Sequence, residues 1–240
     1  RGKFEAKPWK RSLASDIGVV NGADVCDLDI KSFDDLKLVE KKFKSKVGAN
    51  TMIALEYVFL RALARVNRKE VWEVINSTSR KMPRPVGNII GGGAHSGNKL
   101  KADFQEFHVI PMSSSIKKNV KILLRAHKNA RRFLRNVDSG FKSRKNDESA
   151  WQSSLSNERV MKVIVDVKNN VRDEFKEKVG VGLDVAASQF FSNGKYRYKN
   201  ERATRSVREQ VEFMNEIARR FFYIEDGMDE NDFAGFSKIK

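Results

Sequence analysis

A chain of 240 residues with 40% hydrophobic and 32% charged content can bury a packed core, in one large domain or two ordinary ones. No run approaches the roughly 18 apolar residues of a membrane helix, and the N-terminus shows neither the apolar segment nor the cleavage site of a secretory leader. One cysteine, Cys26, excludes an internal disulfide framework. It fits a reducing compartment, so a cytoplasmic location without a membrane partner is expected, with Cys26 as a small buried hydrophobe. The net charge of +16 suits a nucleic acid, a membrane surface or an anionic small substrate, and equally a set of lysines decorating solvated faces.

From the N-terminus, Phe4, Ala6 and Trp9 alternate as a strand would, and Asn21-Gly22 is a turn dipeptide. Ser32 can cap a helix that has Asp34 and Asp35 in its first turn and Phe33, Leu36, Val39 and Phe43 along one face. A turn over Ser45–Asn50, with Asn50 as cap, leads into a second helix. There Thr51, Ala54, Tyr57, Val58, Leu60, Leu63 and Ala64 recur near the helical period. Val71 to Ile75 adds one or two further helical turns.

The stretch from Pro83 to Pro111 is the most informative. Val86 to Ile90 and Phe107 to Ile110 are short apolar segments bounded by Pro or Gly, which reads as two buried strands. Between them, Gly91, Gly92 and Gly93 let the backbone take dihedrals that a Cβ forbids and let a ligand approach. The loop then offers His95, Ser96, Asn98, Lys99, Gln105 and Glu106 within a dozen positions. An imidazole, amides, an amine and a carboxylate together suit a site better than a structural loop.

Beyond it, Ile116, Val120, Leu123, Leu124, His127, Leu134 and Val137 suggest one long helix or two short ones. Lys117, Lys118, Lys121, Arg125, Lys128, Arg131, Arg132 and Arg135 make this region densely basic, as in a nucleic-acid-binding helix or a solvated outer face. Aromatic interleaving is limited to Phe133, which favours the solvated face. Lys142 to Asn157 reads as a long polar loop holding Asp147, Glu148 and Trp151. Val160, Val163, Ile164, Val167, Val171 and Phe175 form an amphipathic helix. Val181 to Val185 is a buried strand carrying Asp184, and Asn193-Gly194 is a turn. Val207, Val211, Met214, Ile217 and Ala218 mark another helix before the strand Phe222 to Asp226. Strand–helix alternation from residue 85 predicts a parallel sheet or a β/α barrel. One acid at a strand end can be a helix cap; Asp184 and Glu225 together, beside the His95 loop, point to a site.

These residues resemble the enolase family, the archaeal type above all. Lys44 to Thr51 is similar to that family's Lys-Ser-Lys-Leu-Gly-Ala-Asn-Ala turn, and Gly87 to Pro111 to its Gly-Asn-Val-Ile-Gly-Gly-Gly-Ala-His loop with the following Gln-Glu-Phe. Leu183 to Phe191 with Gly194 to Tyr196, Tyr223 to Gly227 and Asp232 to Phe236 resemble later family segments in the same order. The resemblance spans about residues 44 to 236.

It implies an α/β chain: a reduced α+β N-terminal domain over 1–80 and, over 81–240, about the first half of a TIM-type barrel that begins ββαα. It also implies reversible, magnesium-dependent dehydration of 2-phosphoglycerate to phosphoenolpyruvate. There Mg2+ neutralises charge that builds beside the substrate carboxylate, so that a weakly acidic proton can leave. By the same resemblance Asp184 and Glu225 match two magnesium ligands. Glu106 and Glu148 match the acids around the departing hydroxyl, His95 the loop histidine that closes over substrate, and Gln105 a neighbour that helps hold the site.

The departures are equally informative. The family's third magnesium carboxylate and its lysine base have no counterpart here, and its N-terminal Ser-Gly-Ala-Ser-Thr loop survives at best as Arg11 to Ser15. Around Glu148, Gly-Asp-Glu-Gly-Gly is replaced by Asn146-Asp147-Glu148-Ser149-Ala150. Four barrel strands are expected, near 85–90, 107–110, 181–185 and 222–225, against about eight in a closed barrel. A completing C-terminal half or a homo-oligomer partner is therefore expected, and the alternative is a non-catalytic, basic binding or structural subunit.

Overall fold

The computed structural model describes residues 6–240, which form two compact units, one ending at Lys81 and the other Met82–Lys240. The described part of the first unit is helical: α1 (Leu13–Asn21), a 3-10 turn (Phe33–Asp35), α2 (Leu36–Phe43), α3 (Ala49–Val66) and α4 (Val71–Ile75). Ser32 and Asp35 form a reciprocal capping box ahead of α2, whose Leu36, Val39 and Phe43 are buried together with Val47 and Leu60. Phe33, expected on that face, is exposed, as are Tyr57 and Val58 of α3.

The α+β character expected of residues 1–80 does not appear, because the described residues of this unit contain no strand. Phe4 lies outside the described residues, and the segment around Ala6 and Trp9 is not a strand. The carbonyls of Lys7 and Pro8 instead accept from the N–H groups of Ala49 and Asn50, two of the orphan donors at the start of α3. Asn50 is therefore inside the helix and Gly48 is its cap. A Cβ on Gly48 would lie 2.3 Å from the Trp9 Cα, so this approach needs glycine.

Helix α1, which gave no clear sequence signal, begins at Ser12, whose side chain accepts from Ser15 N. It places Asp16 out of solvent, accepting from Gly48 N at 2.8 Å, Thr51 Oγ1 at 2.8 Å and Lys10 N at 3.2 Å. Cys26, expected in the core, is exposed in the loop after α1, where its N–H donates to Asp24.

The second unit is built on a five-stranded sheet. Its strands are β1 (Gly87–Gly91), β2 (Glu106–Pro111), β3 (Trp151–Gln152), β4 (Val179–Asp184) and, last in the chain, β8 (Tyr223–Glu225), in the spatial order β3-β1-β2-β4-β8. Two helices, α5 (Ile116–Val137) and α6 (Asn157–Phe175), intervene between β2 and β4. One crossover helix returns the chain for a parallel strand. Two in succession bring it back to the end it left, and β4 accordingly runs antiparallel to β2, as β1 does. The alternation reading is thus corrected for the first three long strands; β4 and β8 are parallel. Among the described residues the sheet does not close into a barrel, and β3 and β8 are its edges.

The core joins Ile89, Ile90, Phe107 and Val109 of the sheet to Val160, Ile164, Val167 and Val171 of α6, as the period of that helix predicts. On α5 the buried stripe is Ile122, Ala126, Ala130 and Leu134, while Ile116, Val120, Leu124 and Val137 are exposed. Alanines carry much of the packing there; of the large apolar residues that suggested this helix, Leu134 is buried and Leu123 packs against the core. The basic residues of α5 lie outward, and two of them pair with acids: Lys118 with Glu177 and Arg125 with Glu174.

A second, three-stranded sheet, which the turn at Asn193-Gly194 alone foreshadowed, comprises β5 (Phe191–Ser192), β6 (Lys195–Tyr198) and β7 (Ala203–Ser206). It leads into α7 (Val207–Ala218), capped by Ser206 and Glu209, and the unit ends with α8 (Phe233–Phe236). No helix among the described residues is long and apolar enough to cross a membrane.

The hydrogen bonds at Asp16, that from Gly48 first, hold its carboxyl below the usual aspartate range. A depressed folded pKa gives stability above the unfolded value that is lost as pH falls through the folded one. Asp16→Asn is therefore expected to lower the thermal midpoint at neutral pH and to flatten its decline below about pH 4, read by thermal scans across pH.

Candidate active site at the strand ends

The register of the sheet places three acids in one line. Glu106 opens β2 opposite Asp184 at the end of β4, and Asp184 lies beside Glu225 at the end of β8. Gly91, at the end of β1, pairs with Glu106 on the other side. Because β2 runs against its neighbours, its first residue meets their last ones, so loops from four strands open at the same rim.

The glycine loop shapes that rim. Gly92 N donates to Gln105 O at 2.8 Å and Gly93 N to Ala102 O at 3.0 Å, closing the loop on itself. A Cβ on Gly92 would lie 2.4 Å from Phe104 O, and Gly93 has φ +47°, so both positions need the missing side chain. A 3-10 turn over Gly93–His95 then presents His95, whose Nδ1 is 3.0 Å from Asp147 Oδ1 and 3.5 Å from Glu148 Oε1. Of the other loop residues, Ser96 is buried and Asn98 Nδ2 donates to Ser153 O at 3.2 Å, while Lys99 stands in solvent.

Glu148 reaches this group from the long loop. Its Oε2 accepts from Asn88 Nδ2 at 2.9 Å, and its carboxyl is hydrogen-bonded to Glu106. The two carboxyls are driven apart. A hydrogen bond from His108 holds Glu106 below the usual glutamate range, and burial beside the Glu106 charge raises Glu148. This is the arrangement that separates an acid from a base.

Asp184 is pushed up to about 6 by burial, then by the charges of Glu225 and Glu106. It accepts from Ala186 N at 2.9 Å and from Gln105 Nε2 at 3.0 Å. Tyr223 OH donates to Glu225 Oε2 at 3.0 Å. Residues flanking the acids adopt left-handed backbone: Ser149 (φ 66°), Ala186 (φ 47°) and Asp226 (φ 46°). For non-glycine residues this is strain of about 1–3 kcal/mol each, and such strain clusters at sites.

Several contributors escaped the sequence reading. Asp147, held below the usual aspartate range by its hydrogen bond with His95, links the two loops. Asn146 Oδ1 accepts from Glu148 N at 3.1 Å and Ala150 N at 2.9 Å, so an Asx turn holds the loop where the family has glycines. His127 on α5 clasps it from outside. Its ring stacks on Trp151 at 4.7 Å and its Nε2 bonds Ser149 O at 2.9 Å, while Trp151 Nε1 donates back to His127 O at 2.8 Å. Alternating β2 positions share a face, the one signal that could have flagged His108 below Glu106.

Enolase, C-terminal TIM barrel domain, is the family that matches residues 79–240. The chain belongs to the enolase family. Its archaeal relatives include the enolases of Pyrobaculum aerophilum (34% identical over 203 residues, covering 81% of this chain and 47% of that enolase) and of Methanothermobacter thermautotrophicus (30% over 238 residues, 95% and 57%). The enolase of Methanosphaera stadtmanae is 32% identical over 201 residues, covering 81% and 48%. The chain spans about half the length of the curated enolases it matches.

An aspartate whose folded pKa is raised favours folding only while protonated, so stability is lost as pH rises from about 4 to about 6. Asp184→Asn removes that loss. Gln105 Oε1, which has no hydrogen-bond partner among the described residues, can turn to accept from the new amide. The substituted chain is expected to be more stable than the parent at pH 7.5, by up to about 2–3 kcal/mol, and equal to it near pH 4, as measured by denaturant unfolding without metal.

Proposed function

We propose that this chain supplies the acid–base pair and two of the magnesium carboxylates of an enolase, for the reversible dehydration of 2-phosphoglycerate to phosphoenolpyruvate. The observation that carries the reading is the Glu106–Asp184–Glu225 line with Glu148 hydrogen-bonded at its end. Glu148, whose carboxyl is raised by burial and the Glu106 charge, gives a proton to the departing hydroxyl and takes it back in the reverse direction; Glu106, held below the usual glutamate range by His108, favours the protonated form of Glu148. His95, bridging to Asp147 and Glu148, closes the glycine loop over the substrate and excludes water.

The acids fit magnesium. Asp184 and Glu225 offer only oxygen, and Asp184 is raised by neighbouring like charge that a cation would neutralise. Among the described residues no group of three or more His, Cys, Asp or Glu gathers into a metal site. Magnesium commonly takes one or two protein carboxylates and fills its remaining positions with water and substrate oxygens. When bound, it lowers the cost of charge building beside the substrate carboxylate.

In this reading residues 1–80 are a reduced N-terminal domain and 81–240 the first half of a TIM-type barrel. The proton-abstracting base and the remaining strands belong to a C-terminal half that completes the barrel. The open β3 and β8 edges and the half-length match to the relatives support this.

The test is phosphoenolpyruvate formation from 2-phosphoglycerate and Mg2+, with the chain supplemented by the C-terminal half of the Pyrobaculum aerophilum enolase. Turnover is expected, with Glu148→Gln slowing it about 10²–10⁴-fold. An assembled, magnesium-loaded complex that is inactive, or one in which Glu148→Gln turns over at the parent rate, contradicts the reading.

A further inference from the structure

One pleat below the acids lies a second line of residues. His108 on β2 pairs in register with Gly182 on β4, and Gly182 with Tyr223 on β8. Each stands two residues from an acid on its own strand, and so on the same face: His108 from Glu106, Gly182 from Asp184 and Tyr223 from Glu225. Between the two rings the strand carries glycine. A Cβ on Gly182 would come within 3.1 Å of the Tyr223 Cβ and of Ile110 Cδ1. The rings of His108 and Tyr223 meet across it, tilted by 34° with centroids 6.3 Å apart.

Both rings point a polar atom upward. Tyr223 OH donates to Glu225 Oε2 at 3.0 Å, and His108 Nε2 lies 2.8 Å from Glu106 Oε2. The ionised Glu106 can only accept, so Nε2 carries the proton. The His108 side chain is 4% exposed, and its Nδ1 has no hydrogen-bond partner among the described residues. A core position filled for packing alone gains nothing from a buried imidazole with one nitrogen unpaired. The polar contact His108 does make is with the carboxylate that faces Glu148.

We propose that His108 is a positioning residue, fixing the Glu106 carboxylate in the orientation that meets Glu148 while the Gly182–Tyr223 floor holds its ring. This rests on the reading of Glu106 and Glu148 as the acid–base pair. His108 acts through Glu106 and does not touch the substrate. A carboxylate displaced by about 1 Å from a productive geometry can cost about 10² in rate, which sets the size of the effect.

Two variants of the full chain test it. His108→Leu keeps the volume and removes the donor. His108→Gln places an amide N–H where Nε2 stood, three bonds beyond Cβ in both residues. Crystal structures of His108→Leu are expected to show Glu106 turned away from Glu148, and those of His108→Gln to show it restored. In the complemented assay His108→Leu is expected to lower kcat about 10²-fold with little change in KM, and His108→Gln to recover most of it. Glu106 unmoved in His108→Leu, or a loss that falls on KM alone, overturns the proposal.

A third readout needs no folded leucine variant. Long-range 1H–15N spectra of the three imidazoles, with His108 assigned through His108→Gln, are expected to show its Nε2 protonated and hydrogen-bonded. A His108 protonated at Nδ1 alone overturns the assignment. If the complemented parent shows no turnover, the functional reading fails, and the Glu106 orientation and the imidazole spectrum still decide the role of His108.

Discussion

The register that holds Glu106, Asp184 and Glu225 side by side is the constraint on which the rest of this unit depends. Backbone ladders, not side chains, force these acids together, and the ladders are set by the two helices that turn β4 antiparallel to β2. Like charges at neighbouring strand positions repel, and burial deepens the cost, as the raised carboxyl of Asp184 shows. A sheet selected for stability alone would put apolar or paired side chains there. In the proposed reading that cost is offset by a bound cation.

The surroundings of the acids divide the labour. Donors are directed at selected oxygens: Gln105 and Ala186 N at Asp184, Tyr223 at Glu225, His108 at Glu106 and Asn88 at Glu148. The donor from His108 lowers the Glu106 carboxyl, while burial and the Glu106 charge raise that of Glu148. The strained backbone at Ser149, Ala186 and Asp226 is held by hydrogen bonds on either side, as at Asn146 and His127, where the chain lacks the glycines that would make the turn without strain. The loop of Glu148 is consequently tied down by side chains.

Much of the site was legible in the sequence because its signals are local. Glycines that need a missing Cβ, acids at the ends of two apolar strands and a histidine in a polar loop leave a trace in consecutive residues. What escaped depends on pairing. The antiparallel β2–β4 contact, the short β3 strand at Trp151 and the three-stranded sheet over Phe191–Ser206 arise from partners distant in sequence. On α5 the buried stripe is carried partly by Ala126 and Ala130, while Ile116, Val120 and Leu124 stand outward, so large apolar side chains mark the face only in part. In the N-terminal unit, no sequence signal marked Asp16, which α1 carries to the N–H of Gly48.

The central claim is that Asp184 and Glu225 act together on magnesium, and Mg2+ titration calorimetry tests it most directly. The unsubstituted chain and Glu225→Gln are compared at neutral pH. The account predicts saturable binding to the parent that weakens by about 10-fold or more in the variant. Equal affinity in both, or no binding to the parent, would contradict it.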